Sequence, residues 1–339
     1  MTAHALLLTA VAALALGGTA CAQAPAGASG LEVVAHIAGP DGRWDYASFD
    51  PTRRRIYVTH GATLMAIDVD SGKVTPDFAA GQGLHSAVPV PGADVVVTTN
   101  SGDNSARIVS AADGKLVASV ATGRKPDAAV YDPSSGLVLV MNGATGDATL
   151  VDVKAGKSDG SIAIGGALEF AAVDGNGRLY VNIEDKGEIA VADIAGRKVV
   201  ARWPLAGCEE PSGLAYVAGG RLVSACANGV AKILDAASGK EIASLKIGIG
   251  PDAVLYDAGR KLAYIPCGRD GNLAVIALSG AGNNTVIDTV ATAVGARTGA
   301  VDSKTGRVYL PTAQFAPAAA GERPQPKPGT FEVLVLDRP

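Results

Sequence analysis

The chain has 339 residues, 48% hydrophobic, 18% charged and 4% aromatic, with a formal net charge of −4. With a pI near 5.6, that balance excludes a general phosphate-backbone binder, and so few aromatics argue against base-stacking platforms, so nucleic acid is not an expected partner. The 43 glycines suit an all-β protein rich in tight turns.

Residues 1–22 read as an export signal. Leu6–Leu16 is an apolar core, and Ala20-Cys21-Ala22 fits the small-x-small cleavage rule, leaving Gln23 as the new N-terminus. Lipid modification of Cys21 is the alternative, against which stands Gly18, three positions earlier, where a larger aliphatic residue is usual. A periplasmic or secreted protein is expected, held to a membrane only if Cys21 is lipidated, because no later stretch reaches the ~18 apolar residues of a span. Residues 23–30 read as a flexible leader, and residues 31–339 as a single domain, monomeric in expectation.

From Lys125 to Lys157 the chain runs through short apolar strands broken by DPSSG, Gly/Asp and Gly-Lys turns, and this unit recurs. The residue closing its third strand falls at Asp68, Ser110, Asp152, Asp193, Asp235, Ala277 and Asp337, in steps of 42, 42, 41, 42, 42 and 60. A period of 40–45 residues with four strand signals predicts a β-propeller of seven four-stranded blades. The last unit lacks a fourth strand, while Leu31–Ala38 is a strand to spare. Pairing the two closes the ring and removes two sheet edges. The predicted blades are 41–80, 81–122, 123–166, 167–207, 208–247, 248–294, and 295–339 with 31–39. The long final step is an insertion, 313–330, holding Pro317, Pro324, Pro326 and Pro328. It is expected on the channel-mouth face as a rim or lid.

Arg53–Val74, with Tyr57-Val58-Thr59 at its centre, resembles the YVTN-type repeat of bacterial YncE-like proteins, and Tyr180-Val181-Asn182 and Tyr309-Leu310-Pro311 are degenerate echoes of it. The resemblance spans essentially the whole exported chain and implies a seven-bladed, WD40-like repeat architecture. Surface-layer, lactonase-type and quinoprotein-like propellers share that architecture, so it implies little about function.

The register places one residue per blade at the channel mouth: Asp45, His85, Asp127, Glu169, Ser212, Asp252 and Arg297. Four carboxylates beside an Arg and a His suit either a divalent metal or a general acid–base set. The plainer alternative is a solvated collar whose carboxylates accept turn hydrogen bonds. A second ring ends the second strands, and there His60 is expected to approach the same ligand as His85. Trp44 and Tyr46 flank Asp45, either to stack a ring-shaped ligand or to pack against the neighbouring blade.

Cys208 and Cys226 lie on one hairpin, and export favours a disulfide between them with Cys267 left reduced. No cysteine has zinc-type spacing, and haem, nucleotide and flavin motifs are absent from the sequence. Two functions follow. One is a binding propeller for a small molecule or a periplasmic protein. The other is a lactonase- or isomerase-type enzyme using the collar, with or without a divalent metal.

Overall fold

Each repeat becomes four antiparallel strands, and in most of them an aspartate reverses the chain after the first or the third strand. The Asp50 carboxylate accepts from the N–H groups of Thr52 and Arg53, and Asp132 does the same for Ser134 and Ser135. At the second turn, Asp152 accepts from Lys154 and Ala155, and Asp235 from Ala237 and Ser238. These side chains take over the backbone donors that a turn leaves unpaired. The aspartate that marks the repeat is therefore a turn residue.

A computed structural model describes residues 1, 29–279, 283–317 and 324–339. The export segment, Cys21 and residues 318–323 of the insertion lie outside the described residues. Seven four-stranded sheets form, six of them in simple chain order. Apart from one 3-10 turn, Glu184–Lys186, every described element is a strand. No described helix is long and apolar enough to cross a membrane.

The seventh sheet takes Ala300–Val301, Val308–Thr312 and Glu332–Asp337 and is completed by Glu32–Ala38. Glu32 lies opposite Asp337 and Ala38 opposite Glu332, antiparallel. The N-terminal strand thus closes the ring, with most of its side chains facing solvent. Ser29 departs from the flexible leader expected of residues 23–30. It is buried, and its N–H and hydroxyl donate to Asp288 at 2.8 and 2.6 Å. A charge-assisted pair of bonds anchors the chain before the closing strand begins.

The core lies between blades, where the second and third strands of one sheet face those of the next. Ile56, Val58, Met65 and Ile67 of blade one pack with Val333 and Val335 of blade seven in this way. The innermost strands approach each other closely. A Cβ at Gly213 would stand 2.5 Å from the Ala253 backbone carbon, nearer than any side chain permits. Tyr46 of blade one reaches across the channel and packs edge-on against Phe170 of blade four, ring centroids 5.0 Å apart. That contact fills the channel beneath its mouth.

Candidate functional site

Each innermost strand enters from a loop on the mouth face, and the residue at that entrance points into one cavity of ≈ 540 Å³. Asp45, His85, Asp127, Glu169, Ser212, Asp252 and Arg297 all line it. Hydroxyls on neighbouring blades hold the backbone here. Thr59 donates to the His85 carbonyl at 2.9 Å, Thr99 to that of Asp127 at 2.6 Å, and Thr298 to that of Asp45 at 2.7 Å. The threonine of Tyr57-Val58-Thr59 therefore ties blade one to blade two and sets the height of His85.

Two charge networks meet at Asp45. Arg297 bonds Asp252 at 2.9 Å and lies 3.5 Å from Asp45. On the other side, His85 Nδ1 lies 2.6 Å from Asp45 and 3.6 Å from Asp127. The Ser101 hydroxyl donates to the Gly83 carbonyl, so it accepts from His85 Nε2 at 3.0 Å. With Asp45 and Ser101 facing its two ring nitrogens, His85 is surrounded by groups that favour the protonated ring. Burial pulls its pKa down, but the hydrogen bond to Asp45 and the charges of Asp127 and Asp45 outweigh that and raise it.

The remaining carboxylates are poorly compensated. Burial, then repulsion from Asp45, pushes Asp127 up to about 6. Glu169 rises further, to about 9, through burial and the charges of Asp127 and Asp252. Asp252 rises to about 6 because burial outweighs the pull of Arg297. Burial and these same carboxylates raise the Tyr46 phenol well above its usual range. Such a cluster holds a proton on Glu169 at neutral pH and releases it when a positive charge arrives.

The expected pairing of His60 with His85 does not form. His60 is buried, with its ring edge-on to Phe331 at 4.6 Å, and it does not line the cavity. Burial lowers its pKa, so it is a neutral packing residue. The other residues at the ends of the second strands, Asn100, Asn142, Asn182, Cys226, Cys267 and Thr312, are buried too. Asn100 accepts from Gln82 N–H, and Asn182 donates to the carbonyls of Ser212 and Gly213. These positions satisfy loop backbone, because a buried amide must find partners. Trp44 packs against Phe315 and Phe331 of blade seven while one edge reaches the cavity.

Several wall residues carried no such assignment in the sequence. Lys125 and Arg43 stand at the rim, and Glu184 leaves the second strand of blade four. The only signal for Glu184 was its place in a loop on the mouth face. From the insertion, Phe315, Pro324 and Pro326 complete the wall. Phe315 bridges to Pro326 and seats over Gly295, whose φ is +94° and where a Cβ would lie 2.3 Å from the Phe315 ring. A second hollow of ≈ 370 Å³ adjoins the first and shares Glu184, Ser212, Asp252, Arg297, Phe315 and Pro324 with it. Its further lining is Ala227, Pro251 and Val294 among glycines, with Glu210 and Arg269 as the charged members. At the same face Cys208 and Cys226 form a disulfide, their Cα atoms 5.3 Å apart, and Cys267 is free and buried.

A family model described as "Outer membrane protein assembly factor BamB" matches residues 48–206, somewhat less than half of the chain. No curated protein sequence matches the chain. Among solved structures, hydrazine synthase of Kuenenia stuttgartiensis superposes with a TM-score of 0.68 at 15% identity, covering 81% of this chain and 92% of that one. A chain of the mitotic checkpoint complex gives 0.73 at 10% identity, covering 99% of both chains. The U3-55K structure gives 0.74 at 10%, covering 89% of this chain and 98% of that one. At such identities these likenesses show the fold alone.

Proposed function

We propose that this chain is an exported, monomeric propeller that binds a small ligand in the mouth cavity. The observation that carries the reading is convergence. Seven loops, one per blade, aim polar side chains into one cavity of ≈ 540 Å³ walled by the insertion. That volume and construction suit a small-molecule site. The partial match to an assembly-factor family favours a binding or scaffolding role over catalysis. The Cys208–Cys226 disulfide and the apolar Leu6–Leu16 segment favour export.

One observation favours a second reading, a metal-dependent enzyme. Ligand atoms of Asp45, His85 and Asp127 lie within 4.8 Å of one another. Against it, both His85 nitrogens are already engaged, with Asp45 and Ser101, and Arg297 already sits beside Asp45. An ion would have to remove a proton from His85 and compete with the guanidinium.

The test is a thermal-shift screen of small molecules on the wild type and Asp127→Ala, with elemental analysis of the purified protein. Compounds that raise the melting temperature of the wild type should lose that effect in Asp127→Ala. Stoichiometric metal in the wild type would overturn the preference for simple binding. Full retention of ligand by Asp127→Ala would place the site elsewhere.

A further inference from the structure

We infer that the ligand of this mouth is an organic ammonium ion, its charge held beside Asp127, Glu169 and Tyr46 and its apolar body laid on the adjoining shelf. The inference rests on the small-ligand reading above and names the ligand's chemical class.

Charge balance is the first ground. Asp45, Asp127, Glu169, Glu184 and Asp252 face the cavity against Arg43, His85, Lys125 and Arg297. Arg297 is committed to Asp252 and Asp45, and His85 mainly to Asp45. Lys125 is exposed at the rim, and its charge does not prevent the upward shifts of Asp127 and Glu169. The deep carboxyls left without a committed cation are therefore Asp127, ionised at neutral pH, and Glu169, which keeps its proton there until a positive charge arrives.

The second ground is independent of charge counting. Asp127 is only 8% exposed and lines the cavity, yet its nearest cation is His85 at 3.6 Å, too far for a good hydrogen bond. Tyr46, 6% exposed, also lines the cavity, and its hydroxyl meets no hydrogen-bonding partner among the described residues. Two largely buried residues whose polar atoms open on one space without full protein partners mark where a ligand's donors and positive charge would sit. Trp44, Tyr46 and Phe315 add aromatic surface, which attracts an ammonium through the ring face.

The third ground is the shelf. It shares Asp252 and Phe315 with the charged well and offers Pro251, Val294 and Ala227 beside Glu210 and Arg269. A bare metal ion or a fully polar cation would leave this apolar surface unused. A ligand with its charge at one end covers both.

Calorimetry tests this at pH 8 with benzyltrimethylammonium, tetramethylammonium, benzoate and Mn²⁺ as probes, in buffers of different ionisation enthalpy. Benzyltrimethylammonium should bind at least about tenfold tighter than tetramethylammonium, because it alone reaches the shelf. It should release about one proton per site, since a cation beside Glu169 draws off the proton that carboxyl retains. Benzoate should not bind. Glu169→Gln should weaken the aryl cation and abolish the proton release. Equal affinity for the two ammonium ions, or no proton release, would overturn the inference. So would tighter binding of benzoate or Mn²⁺ at a site lost in Asp127→Ala, although mouth binding itself would then stand. If every bound probe keeps full affinity in Asp127→Ala, the small-ligand reading of the mouth falls as well.

Discussion

Glu169→Gln should stabilise the folded protein at pH 8 and leave it almost unchanged at pH 4. The Glu169 carboxyl rises from 4.5 to about 9 in the folded chain. A group raised in this way contributes its full stability below the unfolded value, about 4.5, and loses it as the pH climbs through 9. Each pH unit in that window costs about 1.4 kcal/mol, which sets a ceiling of about 5 kcal/mol at pH 8. The cavity is open to water, and Lys125 stands at its rim, so solvent screening reduces the cost to about 1–3 kcal/mol. Glutamine keeps the shape and has no proton to take up on folding, so it should recover that amount. Urea unfolding of both proteins at pH 4 and pH 8, at one ionic strength, measures the difference directly. An equal gain at both pH values would show that the effect comes from packing, and a loss at pH 8 would refute the crowding of carboxylates altogether.

Three other outcomes follow. Deleting residues 31–39 should lower the stability of the whole ring by about 3–6 kcal/mol in one cooperative urea transition, because six paired positions beside Glu332–Asp337 are lost at roughly 0.5–1 kcal/mol each. A separate early transition confined to blade seven would contradict this. In the chain beginning at Gln23, burial pushes the Cys267 thiol up to about 11, so a thiol reagent should find no reactive group in the native protein. One should appear after unfolding without reductant, and a native reactive thiol would mean that the Cys208–Cys226 bond is not formed. Phe315→Ala should weaken binding of benzyltrimethylammonium about tenfold while costing only about 1–2 kcal/mol in urea, because the half-buried ring walls both hollows but packs mainly on Trp44 and Gly295. Unchanged affinity with a large loss of stability would make Phe315 a packing residue alone.

The sequence by itself determined the blades. Turn aspartates such as Asp152 and Asp235 act through bonds two and three residues away, so a local spacing carries them, and a period near 42 then leaves no other architecture. The same regularity placed one residue per blade at the mouth, because each innermost strand starts at an equivalent step from its turn. What a side chain does on arrival was decided by contacts from tens to hundreds of residues away in the chain. His60 and His85 read alike in sequence, yet Phe331 turns the first into core, while Asp45 and Ser101 favour the protonated ring of the second. The elevation of Glu169 depends on burial and on Asp127 and Asp252, which approach it only because separate blades converge on one mouth. Likewise Arg297 reaches Asp45 across the junction of the last blade with the first, and Phe315 finds Trp44 there. Periodicity records the hydrogen bonds of a strand and its turn. Charge compensation and packing across a closed ring leave no local pattern, because the interacting residues are neighbours only in space.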